Sequence, residues 1–193
     1  KTYVYLRTIY SLYKEYGWRK FVVVVPSVAI REGAIATFKA TREHFETLFG
    51  PIIPQKLLAY DSTEEVTLFK TFGTSTNIEI LLMTRDSFDE TRNKIYKPTE
   101  KIRGGKLPIS FVQETRPILI LDEVLSVGDA KFQKKCLAKI QSMFDSGVTV
   151  LFVSHSINTV KAVCNKAMIL EKGRMKAFGD INEVCETYSK MIG

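Results

Sequence analysis

Several features that would settle a function class at once are missing from this chain. Its three cysteines, Cys136, Cys164 and Cys185, stand far apart with no CxxC pair. That spacing speaks against a disulfide scaffold or a cysteine-built metal site and fits reduced packing residues in a cytoplasmic protein. No apolar run reaches the length that crosses a bilayer, so the chain has no transmembrane segment of its own. The N-terminus lacks the succession of a signal peptide, and it opens on Lys1 rather than Met, as a fragment would. There is no internal repeat and no low-complexity tract. No block carries charge of one sign: the net +7 divides into 17 basic against 13 acidic residues before Arg116, and 11 against 8 from there on. Charge spread in this way does not by itself point to nucleic acid.

What is present fits one α/β domain. The 193 residues, 45% hydrophobic and 25% charged, suffice for a sizeable core. Short apolar runs at residues 21–25, 78–83, 118–121 and 148–153 read as strands buried on both faces. Residues 57–60 suggest a further strand, followed by a turn at 61–65. Helical spacing of Leu6, Ile9, Tyr10, Tyr13 and Tyr16 predicts a first helix from Thr2 that ends at Gly17. A second long helix is expected to reach Phe49, with Ile35, Phe38, Phe45 and Leu48 inward and Gly50-Pro51 as the stop. Residues 84–97 read as a loop or short helix, and residues 100–106, with Gly104-Gly105, as an exposed loop. Beyond Asp129 a helix should turn Phe132, Cys136, Ile140 and Met143 inward and Lys131, Lys134, Lys135 and Lys139 to water. Another helix follows over 157–165, then a hairpin of 167–171 with 175–178. Asp180-Ile-Asn-Glu183 resembles a capping box that opens the last helix. His44, mid-helix, reads as a solvated residue.

The chain is organised around residues 116–129, Arg-Pro-Ile-Leu-Ile-Leu-Asp-Glu-Val-Leu-Ser-Val-Gly-Asp. A buried strand that runs out into Asp122 and Glu123 puts two carboxylates on the sheet rim where open α/β sheets bind ligands. Asp122 suits a magnesium ion, which prefers oxygen ligands. Glu123 suits the orientation and polarisation of a water that attacks a γ-phosphate. A solvated acidic pair capping a strand is the other reading of the dipeptide. His155, flanked by Ser154 and Ser156 at the end of the next strand, could hydrogen-bond the γ-phosphate and that water, or simply cap the strand.

Residues 123–129 with Phe132-Gln-Lys-Lys-Cys136, Val150-Leu-Phe-Val-Ser-His-Ser156, Ile169-Leu-Glu-Lys-Gly-Arg174 and Phe178-Gly-Asp180 resemble the Walker B strand, D-loop, H-loop and final hairpin of ABC-type ATPases. The likeness is to those that power polysaccharide export, such as O-antigen or teichoic acid exporters, and it covers residues 116–190. Lys1-Thr2, Val22-Val-Val-Val-Pro-Ser-Val-Ala-Ile-Arg-Glu-Gly33 and Ile80-Leu-Leu-Met-Thr-Arg-Asp-Ser-Phe88 resemble the helicase-type restriction subunit of type III restriction enzymes, over residues 1–123. Both likenesses imply a P-loop NTPase three-layer sandwich with a mostly parallel sheet of order five-one-four-three-two, here lacking the first, Walker A, strand. They divide a single domain, residues 1–193, into a helicase-like front (1–115) and an ABC-like back (116–193), as in a chimera or fragment joined near Asp122-Glu123.

The resemblances also imply the site. Glu123 and His155 would be catalytic; Lys1, Thr2 and Asp129 would contact the nucleotide; Thr2 and Asp122 would hold Mg²⁺; the ligand would be ATP. Asp129 would organise a dimer interface in an ABC protein and also suits a helix N-cap. The ABC likeness implies a homodimer or a transmembrane permease partner and a place at the inner face of the cell membrane. The helicase likeness implies DNA, touched by the residues after Pro26. Three departures limit all of this. The helicase family continues after Glu123 with Pro-Gln, where this chain has Val124-Leu125. No Gly-rich loop precedes Lys1, and residues 107–115 carry no ABC signature. A poorly fixed Lys1 is therefore expected, with the 148–153 and 167–171 strands paired directly or loosely joined across the gap. A P-loop ATPase, a DNA-dependent motor fragment and an inactive scaffold all remain open.

Overall fold

The run Lys-Phe-Val-Val-Val-Val forms β1 (Lys20–Val25), and its alternation sorts the interior of the protein into two halves. In the computed structural model, which describes residues 1–50, 55–60, 67–88, 93–99, 105–124, 130–172 and 174–192, β1 pairs in parallel with β3 (Ile78–Thr84) on one side. On the other side it pairs with β4 (Ile118–Asp122). β2 (Gln55–Ala59) extends the sheet beyond β3, and β5 (Val150–Val153) extends it beyond β4. The order is β2-β3-β1-β4-β5, all parallel.

Successive strand residues face opposite sides. Phe21, Val23, Val25, Ile80, Leu82 and Ile120 pack with Leu6, Ile9 and Phe45. These come from α1 (Thr2–Tyr16) and α3 (Arg42–Phe49), and α2 (Val28–Ala40) adds Ala34 to the same layer. Val22, Val24, Leu81, Met83 and Leu121 pack with Phe69, Phe72, Val112 and Ile140. Those belong to α4 (Thr67–Thr74), α5 (Pro108–Glu114) and α6 (Ala130–Asp145). The result is the expected three-layer α/β arrangement around a parallel sheet.

Most expected elements form, and the departures have local causes. α1 ends on Gly17, whose φ of 71° is a left-handed conformation that glycine adopts without strain. Tyr16 is nevertheless 66% exposed, so the inward stripe stops before it. The expected single helix to Phe49 is two, α2 and α3, broken at Thr41. There the Thr41 hydroxyl donates to the Thr37 carbonyl at 2.8 Å, an arrangement that bends helices. The break rotates Leu48 outward, to 48% exposure. α5 was not anticipated; Pro108 in its first turn preorganises the helix. Residues 85–88 and 94–96 form short 3₁₀ turns within the expected loop. In α6, Ile140 is buried with Cys136 and Met143 packed against the same core, and Lys134 is exposed, as expected. The turn at 61–65, Gly104, residues 125–129 and the side chains of Lys131, Phe132, Lys135 and Lys139 lie outside the described residues.

After β5 come α7 (Ile157–Val163), the strands β6 (Lys166–Glu171) and β7 (Arg174–Asp180), and α8 (Ile181–Ile192). The Asp180 carboxylate accepts from the Asn182 amide at 2.8 Å and so opens α8. β6 and β7 make a separate antiparallel sheet. Of the two outcomes expected for β5 and β6, direct pairing or a loose join, direct pairing does not occur, because β6 finds its partner in the next strand, the connection of lowest closure cost. β5 is thereby an edge strand, half-buried along its length.

The two helices on one face of the sheet meet closely. A Cβ on Gly73 would lie 2.9 Å from the Phe111 carbonyl oxygen and 3.0 Å from the Phe111 Cβ. Gly73→Ala is expected to destabilise the fold by about 1–3 kcal/mol through this overlap, against the small gain that alanine brings to a helix interior. Urea denaturation measures it; an unchanged or raised midpoint would contradict so close an α4–α5 contact.

Candidate functional site at the carboxyl ends of β4 and β5

The C-terminal ends of the parallel strands share one edge of the sheet. At that edge Asp122 closes β4, in register with Val153 of β5. Glu123 follows with a φ of 53°, the left-handed region that side chains seldom adopt. Its amide donates to the Val153 carbonyl at 2.9 Å. That bond ties the turn after β4 to the end of β5 and aims the Glu123 side chain across the edge. Past β5, the Ser154 hydroxyl accepts from the Ser156 amide at 3.1 Å, and the Ser156 hydroxyl accepts from the Thr159 amide at 3.3 Å. His155 is held between these two turns, at the mouth of α7.

Three chain segments converge on one oxygen. Glu123 Oε1 lies 2.6 Å from Lys1 Nζ and 3.0 Å from His155 Nε2. Thr2 begins α1 beside them. Tyr5, one turn further on, is buried, which pushes its hydroxyl up to about 12, and the charge of Asp122 acts in the same direction. Lys1, Thr2, Asp122, Glu123 and His155 are thus neighbours, while Asp129 lies outside the described residues. Lys1 was expected to be poorly fixed. Instead it stands at the N-cap of α1, with its carbonyl accepting from Val4 and Tyr5, and with the Glu123 ion pair holding its side chain. Sequence reasoning passed over Tyr5, although three residues after Thr2 on a helix is a facing position. His44 is exposed as expected, yet its Nε2 is 2.8 Å from the Tyr3 hydroxyl.

Asp122 is the unusual group. It is 5% exposed, and its Oδ1 has no hydrogen-bond partner among the described residues. Burial raises its pKa above the ordinary carboxylate value; Lys1 pulls it back, Glu123 pushes it further up, and the terminal ammonium and His155 oppose that rise. A buried acceptor left without a donor is costly, and a cation would satisfy it. Asp122 offers a hard oxygen donor of the kind magnesium takes. The described residues contain no cluster of three or more His, Cys, Asp and Glu side chains able to cage a metal. Magnesium needs no such cage, since it keeps several waters and commonly uses one or two protein ligands plus phosphate. The residues therefore fit the ion.

The same burial has a sign that can be checked. With the folded pKa above the unfolded one, the native state binds the extra proton, so this group's contribution to stability falls as pH rises from about 4 through the raised value. Asp122→Asn removes the charge and is expected to stabilise the ligand-free protein at neutral pH by about 1 kcal/mol. Thermal unfolding of the two forms at pH 4 and pH 7 reads this out. A less stable variant at pH 7 would mean that the carboxylate has a partner in solution.

Comparison with known proteins draws on both halves of the chain. The family model described as "Type III restriction enzyme, res subunit" matches residues 1–154, from Lys1 through β5, and stops one residue before His155. The chain is also 40% identical over 109 residues to the teichoic acids export ATP-binding protein TagH of Staphylococcus saprophyticus, covering 54% of this chain and 41% of that protein. The TagH of Bacillus anthracis is 38% identical over 102 residues, covering 51% and 19%. The O-antigen export system ATP-binding protein RfbB of Klebsiella pneumoniae is 36% identical over 109 residues, covering 54% and 44%. The chain thus spans less than half the length of each of these relatives. By the match over residues 1–154, which takes in the whole parallel sheet together with Lys1, Asp122 and Glu123, this chain belongs to the family of type III restriction enzyme res subunits.

Proposed function

We propose that this protein binds a magnesium–nucleoside triphosphate at the carboxyl ends of β4 and β5 and hydrolyses its terminal phosphate. The observation that carries the reading is the meeting of Lys1, Glu123 and His155 beside a buried carboxylate oxygen without a partner. Asp122 and Thr2 would hold the magnesium ion, which when bound neutralises phosphate charge. Lys1 places a cation where β- and γ-phosphates would lie. Glu123 orients and deprotonates the attacking water. His155 steadies the Glu123 carboxylate from the far side and can donate to a phosphate oxygen. ATP is the nucleotide we favour, because the export relatives are named as ATP-binding proteins.

The finer reading follows those relatives. As part of a longer ATPase of teichoic acid or O-antigen export type, the chain would pair with a second copy and with a transmembrane permease at the inner face of the membrane. Among the described residues no helix is long and apolar enough to cross a membrane, so a permease would supply the spanning segments. The family match favours a second reading, a DNA-dependent ATPase, in which single-stranded DNA added at low salt raises turnover and added salt removes the effect. DNA that leaves turnover unaltered at every salt concentration would eliminate that reading.

Turnover and nucleotide binding test the main reading. Glu123→Gln is expected to lower ATP hydrolysis by about 100-fold or more, and His155→Ala by about 10-fold or more, with magnesium-dependent binding retained in both. Unaltered hydrolysis in both variants would remove the assigned roles. Nucleotide binding without any turnover by the unsubstituted chain would instead mark it as a nucleotide-binding scaffold.

A further inference from the structure

A second surface of aromatic and charged groups lies at the opposite end of the sheet from Asp122. Gly17 ends α1 in its left-handed conformation, and its amide donates to the Tyr13 carbonyl at 2.7 Å. The next residues are thereby folded back beside the last turn of the helix. Trp18 stacks on Tyr16, with ring centroids 5.2 Å apart and 29° between the planes. Arg19 does the same with its charge, its guanidinium lying 5.8 Å from the centre of the Tyr13 ring. Arg19 is anchored there: it donates to the Thr76 carbonyl at 2.8 Å, and its own carbonyl accepts from the Glu79 amide at 2.8 Å. Tyr13 and Tyr16, three apart on a helix, are neighbours. The two contacts therefore stand side by side, one ring on ring and one cation on ring.

The tyrosines of α1 that face the sheet, Tyr5 and Tyr10, are buried, whereas Tyr16 and Trp18 remain 66% and 42% exposed. The stacked pair thus presents aromatic surface to solvent. Its surroundings are basic. The cations at this edge include Lys14, Arg19 and Arg116, all exposed. Its acids include Glu15, Glu79, which Lys20 holds at 3.4 Å, and Glu114, which Lys106 holds. Exposed rings beside cations suit a ligand with flat π-faces strung along a chain of negative charge. Single-stranded nucleic acid has both, whatever its sequence. We propose that Tyr16 and Trp18 are a stacking platform for the bases of single-stranded nucleic acid, with Lys14 and Arg19 against its phosphates. A duplex keeps its base faces inside its own stack and would be a poorer ligand. The platform is set apart from Asp122 by the length of the six-residue β1, about 20 Å. It shares no residue with the nucleotide site and does not rest on that reading. It is also distinct from the residues after Pro26, at the carboxyl end of β1, where the helicase likeness places DNA.

Trp18 is the one tryptophan of the chain, so its fluorescence reports on the platform directly. Without nucleotide and at low salt, oligothymidine of about 20 nucleotides, longer than one platform can engage, is expected to quench it to saturation. Added salt should reverse the quenching. Fluorescence anisotropy of the labelled oligomer then compares variants. Trp18→Ala and Tyr16→Ala are each expected to weaken binding about 10-fold, and Trp18→Phe, which keeps a ring to stack on, by less than about threefold. Lys14→Ala should reduce the salt dependence of binding. Circular dichroism checks that each variant is folded, and Tyr16→Ala, at an exposed helix end, keeps the test open should Trp18→Ala unfold. An absence of quenching would overturn the platform. So would folded alanine variants that bind as tightly as the unsubstituted chain. Duplex DNA or inorganic polyphosphate that competes as well as oligothymidine would also overturn it, since contact would then be through charge alone. None of these outcomes alters the case for nucleotide hydrolysis at the other edge, and a chain that hydrolyses no ATP can still show the quenching.

Discussion

A carboxylate buried at the end of a strand, with an oxygen that nothing among the described residues satisfies, is the constraint from which the rest of this site follows. The molecule contains a useful contrast. Glu79 in β3 is also buried, near the opposite end of the sheet, but it stands in register with Lys20, whose ammonium lies 3.4 Å away. Burial pulls the Lys20 pKa down and Glu79 pulls it back up. There the cost of burying one charge is met by another, as buried pairs require. Asp122 has no such partner within hydrogen-bonding reach of its Oδ1, only the longer-range fields of Lys1, the terminal ammonium and His155. Among the described residues, one end of the sheet pairs its buried charge and the other does not.

The second device is the backbone just after that aspartate. Glu123 adopts a left-handed φ, which costs a non-glycine residue of order 1 kcal/mol. The expense is tolerated because the Glu123 amide is captured by Val153 and the side chain is captured by Lys1 and His155. Strain at a single residue thus turns two strand ends and a helix start into one polar cluster. The strands themselves are interchangeable apolar runs of Val, Ile and Leu, and the chemistry is confined to the residues where those runs stop.

That division explains how one sheet can resemble two families. The match to restriction-enzyme res subunits runs unbroken from Lys1 through β5, across the Asp122-Glu123 junction. His155 lies one residue beyond it. Parallel pairing of β4 with β5 depends only on backbone bonds and apolar faces, so the residues that follow these two strands come to the same edge. The hairpin of β6 and β7, by contrast, forms its own sheet under α8 and takes no part in the cluster.

Read without coordinates, the chain declared its strands because fully buried runs leave a strong pattern, and it declared Asp122, Glu123 and His155 because polar residues that end such runs sit at a ligand-binding rim. Caps at Gly17 and Asp180 were legible for the same local reason. The break at Thr41, the outward turn of Leu48 and the helix at Pro108–Glu114 were not, since each depends on how a helix settles against the layer beneath it. Nor could spacing reveal that β6 would pair with β7 alone, or that Lys1 would close on Glu123. Those pairings join residues far apart in the chain or depend on how α1 seats on the sheet. Local composition determined which residues could do chemistry; only packing in three dimensions decided which of them meet, because a contact between Lys1 and Glu123 exists only once the sheet has brought the two ends together.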